Sequence, residues 1–314
     1  MRALVLTHAF IRLGRPLFLG GGFILYALGA AVAAHFGHAL DLRAYLLGQA
    51  VVTSLQLMTH YANDYFDYEA DVANTTPTRW SGGSRVLPGG EIPRVVALIA
   101  ALVLAALGLM FGGLLELHTA ADGSRPSTIP LVLAILVLSW AYSAPPMRLH
   151  SRGVGELDVA VVVTGLVPLL GFWVQAPDLV GLRVLLLAVV PPFLLQIAMT
   201  LAIEFPDHDG DRATGKRTLV VRLGPARAAA WFAVITGAAY LALPFLVALG
   251  LPSAVAGAAA LLAPIAAWRI LRILQGDWRS PAAWEGLTFW SVALLVATSA
   301  ATLIAFVTLP ARAP

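Results

Sequence analysis

Residues 63–71 read Asn-Asp-Tyr-Phe-Asp-Tyr-Glu-Ala-Asp and directly follow an apolar segment long enough to cross a bilayer. Asp64, Asp67 and Asp71 are spaced i, i+3 and i+7, which places three carboxylates on one face of an α-helix. Carboxylates about 5–6 Å apart on such a face repel one another by roughly 3 kcal/mol per pair at an effective dielectric constant near 20. The stretch therefore predicts a bound cation, and hard oxygen ligands favour Mg²⁺.

The same spacing occurs a second time in the chain. Glu204, Asp207 and Asp211 each stand 140 residues after their counterparts, and they also follow an apolar segment. This offset indicates an internal parallel duplication. We expect the two acidic helix ends to lie on the same side of the membrane and to face each other across a central cavity.

The composition predicts an integral membrane protein. The 314 residues are 59% hydrophobic and only 12% charged, with a mean hydropathy of +0.83, whereas a soluble domain has about 25% charged residues. We predict one all-α, polytopic domain over residues 1–314, because nine apolar segments approach the length of about 20 residues that crosses a bilayer. The boundary at 250–252 is the weakest, so a count of eight stays open. The predicted spans are 17–36, 43–62, 93–118, 128–145, 156–174, 182–203, 225–250, 252–271 and 284–309.

The distribution of charge predicts the orientation in the membrane. With the N-terminus inside the cell and sides alternating through nine spans, 16 of the 20 Lys and Arg residues lie inside, as the positive-inside rule requires. Of the 17 acidic residues, 13 lie on the same side. We therefore predict a multi-pass protein of the cell membrane whose active site faces the cytoplasm. Topology also explains the net charge of +3 without a nucleic-acid partner, and the absence of cysteine excludes disulfides and thiolate chemistry.

Basic residues near the acidic stretches are candidates for binding a phosphate group. Arg79 and Arg85 flank Gly82-Gly83, where backbone amides can approach an oxyanion closely. A flexible loop with positive-inside arginines is the alternative. Lys216 belongs to Gly-Lys-Arg-Thr, which lacks the glycine spacing and preceding strand of a P-loop. Arg15 has two interpretations, an interfacial anchor or a phosphate ligand.

Other polar residues have simpler interpretations. Glu156 and Asp158 open the fifth span, where carboxylates complement the helix dipole. His60 and His208 lie beside the acidic clusters, but the seven histidines show no metal-ligand spacing. We assign none of these residues to catalysis.

Two facing carboxylate clusters that share Mg²⁺ and are surrounded by Arg and Lys describe a diphosphate site at the edge of a membrane. The metal would neutralise the diphosphate as a leaving group. An apolar, helix-lined cavity behind such a site suits a long isoprenoid tail.

The two acidic motifs resemble those of a known family. Residues 63–71 resemble the NDxxDxxxD motif of UbiA-type intramembrane aromatic prenyltransferases, and residues 207–211, Asp-His-Asp-Gly-Asp, resemble their second DxxxD motif. Residues 142–148 and 215–217 are similar to further segments of the family. The resemblance implies nine transmembrane helices around a central cavity. It also implies Mg²⁺-dependent transfer of a polyprenyl group from polyprenyl diphosphate to an aromatic acceptor.

The resemblance also implies roles for individual residues. The variant of the first motif and residues 81–85 most resemble the branch that prenylates 1,4-dihydroxy-2-naphthoate in menaquinone biosynthesis. The residues implied in catalysis and Mg²⁺ binding are Asp64, Asp67, Asp71, Asp207 and Asp211. The residues implied in substrate binding are Asn63, Arg79, Arg85, Lys216, Arg15, Arg148 and Tyr142.

Several alternatives stay open at the level of sequence. The acceptor could instead be 4-hydroxybenzoate, homogentisate or a lipid alcohol. A transporter also has internal repeats, but it would place ionisable residues within its spans, whereas here they crowd at one surface. A CDP-alcohol phosphotransferase uses clustered aspartates as well, but the DGxxAR element expected before them is absent from this chain.

Overall fold

The structure, a computed structural model, describes residues 2–121, 126–175 and 178–311. Regular structure in these ranges is entirely helical, as predicted. Arg125 and Arg312, two of the four Lys and Arg residues that the predicted orientation places outside, lie outside the described ranges. The helices of the first half are α1 (Arg2–Leu13), α2 (Pro16–His35), α3 (Leu42–Phe66), α4 (Tyr68–Ala73), α5 (Arg94–Ala120), α6 (Ile129–Ser143), α7 (Gly155–Val159) and α8 (Val167–Trp173). Those of the second half are α9 (Leu179–Ala188), α10 (Val190–Ala213), α11 (Leu219–Leu223), α12 (Pro225–Leu241), α13 (Leu243–Ala248), α14 (Ser253–Ala260), α15 (Ala263–Gln275) and α16 (Pro281–Thr308).

Helices occupy all nine predicted spans, but they differ in their capacity to cross a bilayer. Within the described residues, six helical stretches are long and apolar enough to do so, and a seventh counts if α14 and α15, bent by 43°, form one span. Of the other two, α3 is long but carries many polar residues, and α6 has only 15 residues. The chain is a multi-pass membrane protein, and nine spans stay a prediction. The six stretches are Pro16–His35, Arg94–Ala120, Gly155–Trp173, Leu179–Ala213, Pro225–Ala248 and Pro281–Thr308.

The weak boundary at 250–252 is a real interruption. Helix α13 ends at Ala248 and α14 begins at Ser253. Between them Gly250 has φ of +113°, a conformation that costs glycine little and other residues much. The two predicted spans are therefore separate helices.

Close packing of α2 against α8 helps to close the helical bundle. A Cβ atom on Gly29 would lie 1.9 Å from the carbonyl oxygen of Pro168, and one on Gly171 would lie 2.1 Å from that of Tyr26. Such small residues let membrane helices approach closely. Helix α3 packs along α5 and α6, while α10 packs along α12 and α16. Helix α4 lies against α10 and so brings the two acidic stretches together.

The two acidic stretches differ in local structure. The first is not one continuous helix, because α3 ends at Phe66 and Asp67 lies between α3 and α4. Backbone hydrogen bonds from Asp67 to Asn63 (2.8 Å) and from Asp71 to Asp67 (2.9 Å) span this break. The second stretch lies inside α10, which continues ten residues beyond the predicted end of its span despite Pro206.

Candidate active site

The two acidic motifs meet in one polar pocket of about 90 Å³. Asp67 and Asp71 from the first motif and Asp207 and Asp211 from the second line this pocket together. Asp64 lies beside it and is only 1% exposed. The predicted convergence of the motifs is therefore present in the structure, and we call this space the acidic pocket.

Arg15 forms an ion pair with Asp64, which is almost fully buried. Its guanidinium donates to Oδ1 of Asp64 and, at 3.3 Å, to Oδ1 of Asn63. The other oxygen of Asp64 accepts from the backbone N–H of Ser84 (3.1 Å) and from the Ser84 hydroxyl. Arg15 is mostly buried and lines the acidic pocket, so its role extends beyond that of an interfacial anchor.

Lys216 joins the two motifs electrostatically. Its Nζ lies 2.8 Å from Oδ2 of Asp67 and 3.4 Å from Oδ1 of Asp211. Burial alone would lower the pKa of Lys216, but Asp67 and Asp211 raise it well above the ordinary value. The pKa of Asp67 is correspondingly lowered, because Lys216 and His150 outweigh the opposing effect of burial. Lys216 is thus charged and compensates two buried carboxylates.

Side-chain amides and a glycine N–H hold further carboxylates in place. Asn63 donates from Nδ2 to Oδ2 of Asp67 at 3.0 Å. Asp207 accepts from Nδ2 of Asn74 at 2.7 Å and from the backbone N–H of Gly82 at 3.1 Å. The glycine amide that was expected to face phosphate therefore holds the second motif instead.

Asp71 is the least compensated member of the cluster. Its Oδ2 atom is buried and has no hydrogen-bond partner within the described residues. Burial and the neighbouring Asp64 and Asp67 raise the pKa of Asp71 to about 8. A Cβ atom on Gly83, whose φ is +73°, would lie only 2.1 Å from that oxygen. The loop thus approaches Asp71 as closely as a glycine allows.

The donor set fits a magnesium ion in chemistry and in charge. Five aspartates and Glu204 lie in or beside the pocket with only two cations, Arg15 and Lys216, which leaves an excess of negative charge, and Asp71 offers a free oxygen. Oxygen ligands of this kind suit Mg²⁺. Across residues 2–121, 126–175 and 178–311, no three His or carboxylate side chains already converge as metal ligands. Arg15 and Lys216 occupy carboxylate oxygens that a metal would otherwise use.

The structure does not bring every predicted substrate-binding residue to the pocket. Arg79 and Arg148 have exposed side chains that do not line it. The Arg85 guanidinium donates to the backbone carbonyls of Asp71 and Asn74, so it stabilises the loop that follows α4. The sequence could not show which of these arginines reach the pocket, because all of them, like Arg15, lie in polar loops or at helix ends. Asn63, Tyr142, Lys216 and Arg15 do line the pocket.

His150 is a pocket residue that the sequence analysis missed. It is buried, its Nε2 pairs with Oδ1 of Asp67, and its Nδ1 lies 2.5 Å from the carbonyl oxygen of Tyr142. The available signal was its position two residues after the segment 142–148 that resembles the family. A short turn at Leu149–Arg152 directs it inward.

Two buried glutamates support the loop that carries Lys216. Glu156 accepts from the backbone N–H of Leu219 at 2.7 Å, and Glu204 accepts from that of Val220 at 3.3 Å. These are the first amides of α11. Glu156 lies in the first turn of α7, as predicted, and in addition its carboxylate accepts at the N-terminus of α11, a position that carboxylates favour.

An apolar cavity of about 250 Å³ adjoins the acidic pocket. Arg15, Asn63, Trp80, Tyr142 and Thr200 line both spaces, so the two are continuous. Apolar side chains of α2, α10 and α16 and valines of residues 159–167 line it, together with polar residues of α3 and α6. A charged head group in the acidic pocket can thus extend an apolar tail into the interior of the bundle.

Comparison with known proteins identifies this arrangement. The sequence profile of the UbiA prenyltransferase family matches residues 23–293. A digeranylgeranylglyceryl phosphate synthase from Thermococcus gammatolerans is 30% identical over 76% of this chain and 77% of its own length. The bacteriochlorophyll synthase 33 kDa chain of Cereibacter sphaeroides is also 30% identical, over 81% of this chain and 80% of its own.

Solved structures share the fold. A UbiA homolog from Aeropyrum pernix superimposes with a TM-score of 0.66 at 20% identity, covering 90% of this chain and 97% of its own. A UbiA homolog from Archaeoglobus fulgidus, bound to DMAPP and Mg²⁺, gives 0.59 at 18% identity, covering 93% and 98%. The chain belongs to the UbiA prenyltransferase family and is an enzyme of that family.

Proposed function

We propose that this enzyme transfers a prenyl group from its diphosphate, bound with Mg²⁺ in the acidic pocket, to the hydroxyl group of a lipid alcohol. The observation that carries the proposal is the meeting of both acidic motifs in one pocket that continues into an apolar cavity. The two spaces match the two parts of a prenyl diphosphate. Support for the substrate class also comes from the Archaeoglobus fulgidus homolog, which was solved with DMAPP or GPP together with Mg²⁺.

Magnesium would be held by Asp64, Asp67, Asp71, Asp207 and Asp211, and it would stabilise the negative charge that develops on the leaving diphosphate. The protein's own groups supply the rest of the site. Lys216 and Arg15 bring positive charge to the pocket and can exchange their carboxylate partners for phosphate oxygens. Asn63 and Asn74 orient Asp67 and Asp207 by hydrogen bonds. The apolar wall excludes water from the reacting carbon atom.

The choice of a lipid alcohol rests on the relatives and on the cavity. The Thermococcus relative is named for a glyceryl phosphate product, and the lipid alcohol was among the alternatives left open by the sequence. The 1,4-dihydroxy-2-naphthoate acceptor has no support from the relatives described above, whose names denote glyceryl phosphate and chlorophyll products. We further propose that the pocket faces the cytoplasm, on the strength of the positive-inside bias of the loops.

The proposal is tested by incubating the purified protein with Mg²⁺, labelled geranyl diphosphate and a panel of acceptors. The panel contains a glyceryl ether phosphate with one free hydroxyl, 1,4-dihydroxy-2-naphthoate, 4-hydroxybenzoate and homogentisate. We expect one product, with the mass of the glyceryl lipid plus a geranyl group minus one hydrogen, and no product in excess EDTA. A prenylated naphthoate would overturn the choice of acceptor. Undiminished turnover in EDTA would overturn the role of Mg²⁺.

A further inference from the structure

Asp158 is a buried carboxylate for which the acidic pocket provides no role. It lies near the start of the Gly155–Trp173 span and is 8% exposed. Among the described residues, no hydrogen-bond or ion-pair partner reaches its carboxylate. An unpaired carboxylate inside a membrane span is costly, and such residues generally mark functional sites.

Asp158 belongs to the wall of the apolar cavity. Helix α7, which carries Asp158, packs against α6 and α10, and Ser139, Gln196 and Thr200 from those helices line the same cavity. A π-helical segment, Ala160–Leu166, follows directly, and π-helical turns are frequent at functional sites. Asp158 lies in the first turn of α7, as its predicted role at the helix dipole requires, and it also lines the apolar cavity.

Asp158 lines the cavity that continues into the acidic pocket. Tyr142 on α6 and Thr200 on α10 line both the acidic pocket and the apolar cavity, and α7 packs on both helices. The cations Arg15 and Lys216 are engaged by aspartates of the two motifs, so Asp158 is not neutralised by them. An uncompensated carboxylate favours a neutral hydroxyl donor as its ligand over a second anion.

We propose that Asp158 binds the hydroxyl group of the acceptor and takes up its proton during transfer. The proposal rests on the proposed function. A lone pair of the acceptor oxygen forms the new bond to C1 of the prenyl group, while the bond from C1 to the diphosphate oxygen breaks and its electron pair leaves with diphosphate. The hydroxyl proton moves to the carboxylate of Asp158. The products are a prenyl ether, diphosphate and protonated Asp158.

The variant that tests this role is Asp158→Asn, which keeps the shape of the side chain and removes the proton acceptor. General bases contribute about 10²–10⁴-fold to rate. We therefore expect transfer from geranyl diphosphate to the glyceryl ether phosphate to fall by about 100-fold or more. Mg²⁺-dependent binding of geranyl diphosphate, measured by calorimetry, should match that of the unchanged protein. Leu157→Ala changes the neighbouring position of α7, whose exposed side chain lines neither space, and should retain most of the transfer rate.

A second acceptor distinguishes proton transfer from a structural effect. A glyceryl ether phosphate that carries fluorine beside the carbinol carbon has a more acidic hydroxyl and depends less on a base. The loss caused by Asp158→Asn should be smaller with this analogue, whereas a packing defect would reduce both rates equally. Equal losses, or an Asp158→Asn variant as fast as the unchanged protein, would overturn the role of Asp158 alone. Failure of the unchanged protein to bind geranyl diphosphate with Mg²⁺ would overturn the proposed function, and the Asp158 proposal with it.

Discussion

Nδ2 of Asn74 donates a hydrogen bond of 2.7 Å to Oδ1 of Asp207, which links the end of the first acidic stretch to the second across 133 residues of chain. The contact aligns a carboxylate of α10 with the pocket, and Gly82 holds the other oxygen of the same carboxylate. The loop between α4 and α5 is thus more than a connection between spans. It assembles the two motifs into one site.

Two of the three aspartates in the second motif, Asp207 and Asp209, should differ sharply in function. Asp207→Asn removes a proposed magnesium ligand, and we expect Mg²⁺-dependent binding of geranyl diphosphate and prenyl transfer to fall by about 100-fold or more. Asp209 is the matched control, because its side chain is 98% exposed and pairs only with His208 in the described structure. Asp209→Asn should behave like the unchanged protein in calorimetry and in the transfer assay. Equal losses in both variants would contradict the assignment.

We expect Lys216 to stabilise the folded protein, and we expect Mg²⁺ to restore part of the stability that is lost when Lys216 is replaced. Lys216→Met leaves Asp67 and Asp211 buried without their cation, a defect that typically costs about 3–5 kcal/mol. We expect a lower thermal midpoint in EDTA, and a larger rise of that midpoint on adding Mg²⁺ than in the unchanged protein. Differential scanning fluorimetry in detergent measures both effects.

The control for Lys216 is the next residue along the chain. Arg217 is exposed, so Arg217→Met should change neither the midpoint in EDTA nor its response to Mg²⁺. A Lys216→Met variant that is as stable as Arg217→Met in EDTA would show that Lys216 does not compensate the buried carboxylates.

The loop glycine beside Asp71 should tolerate no side chain. In Gly83→Ala the new methyl group meets Oδ2 of Asp71 and displaces the carboxylate. A misplacement of about 1 Å can cost on the order of 100-fold in rate, and we expect a transfer loss of that size. Gly90→Ala has a similar φ of +69° but no atom within 4 Å of the added carbon. It should lose only about 1 kcal/mol of stability from backbone strain. The comparison therefore distinguishes the effect of the steric clash with Asp71 from the effect of the strained backbone conformation.

His150 should tune the affinity for magnesium through Asp67. His150→Phe keeps a ring beside Tyr142, whose centroid lies 5.3 Å away, but it removes the nitrogen that contacts Asp67. Loss of such a supporting partner typically costs 10–100-fold in metal affinity, and titration of geranyl diphosphate binding with Mg²⁺ measures it. His208→Phe is the control, since His208 contacts the exposed Asp209. A magnesium titration identical in the two variants would exclude a role for His150.

The amino-acid sequence by itself determined the class of the protein and the chemistry of its site. The long apolar segments indicate helices in a bilayer, since each is long enough to cross as a helix and satisfies its own backbone hydrogen bonds there, and the repeated spacing of acidic residues predicts a cation site. Candidate site residues such as Asp67 and Asp207 could be identified because their periodicity is local. The positions of the helices followed from the same local signal.

Only the tertiary structure decided which distant residues meet. Arg15 lies in the pocket whereas Arg79 and Arg148 do not, although all three look alike in sequence. His150 reaches Asp67 across 83 residues of chain, and Asp158 lines the apolar cavity. These contacts depend on how α6, α7 and α10 pack against one another. Such packing arises from the shapes of many side chains at once, and no local pattern in the sequence contains that information.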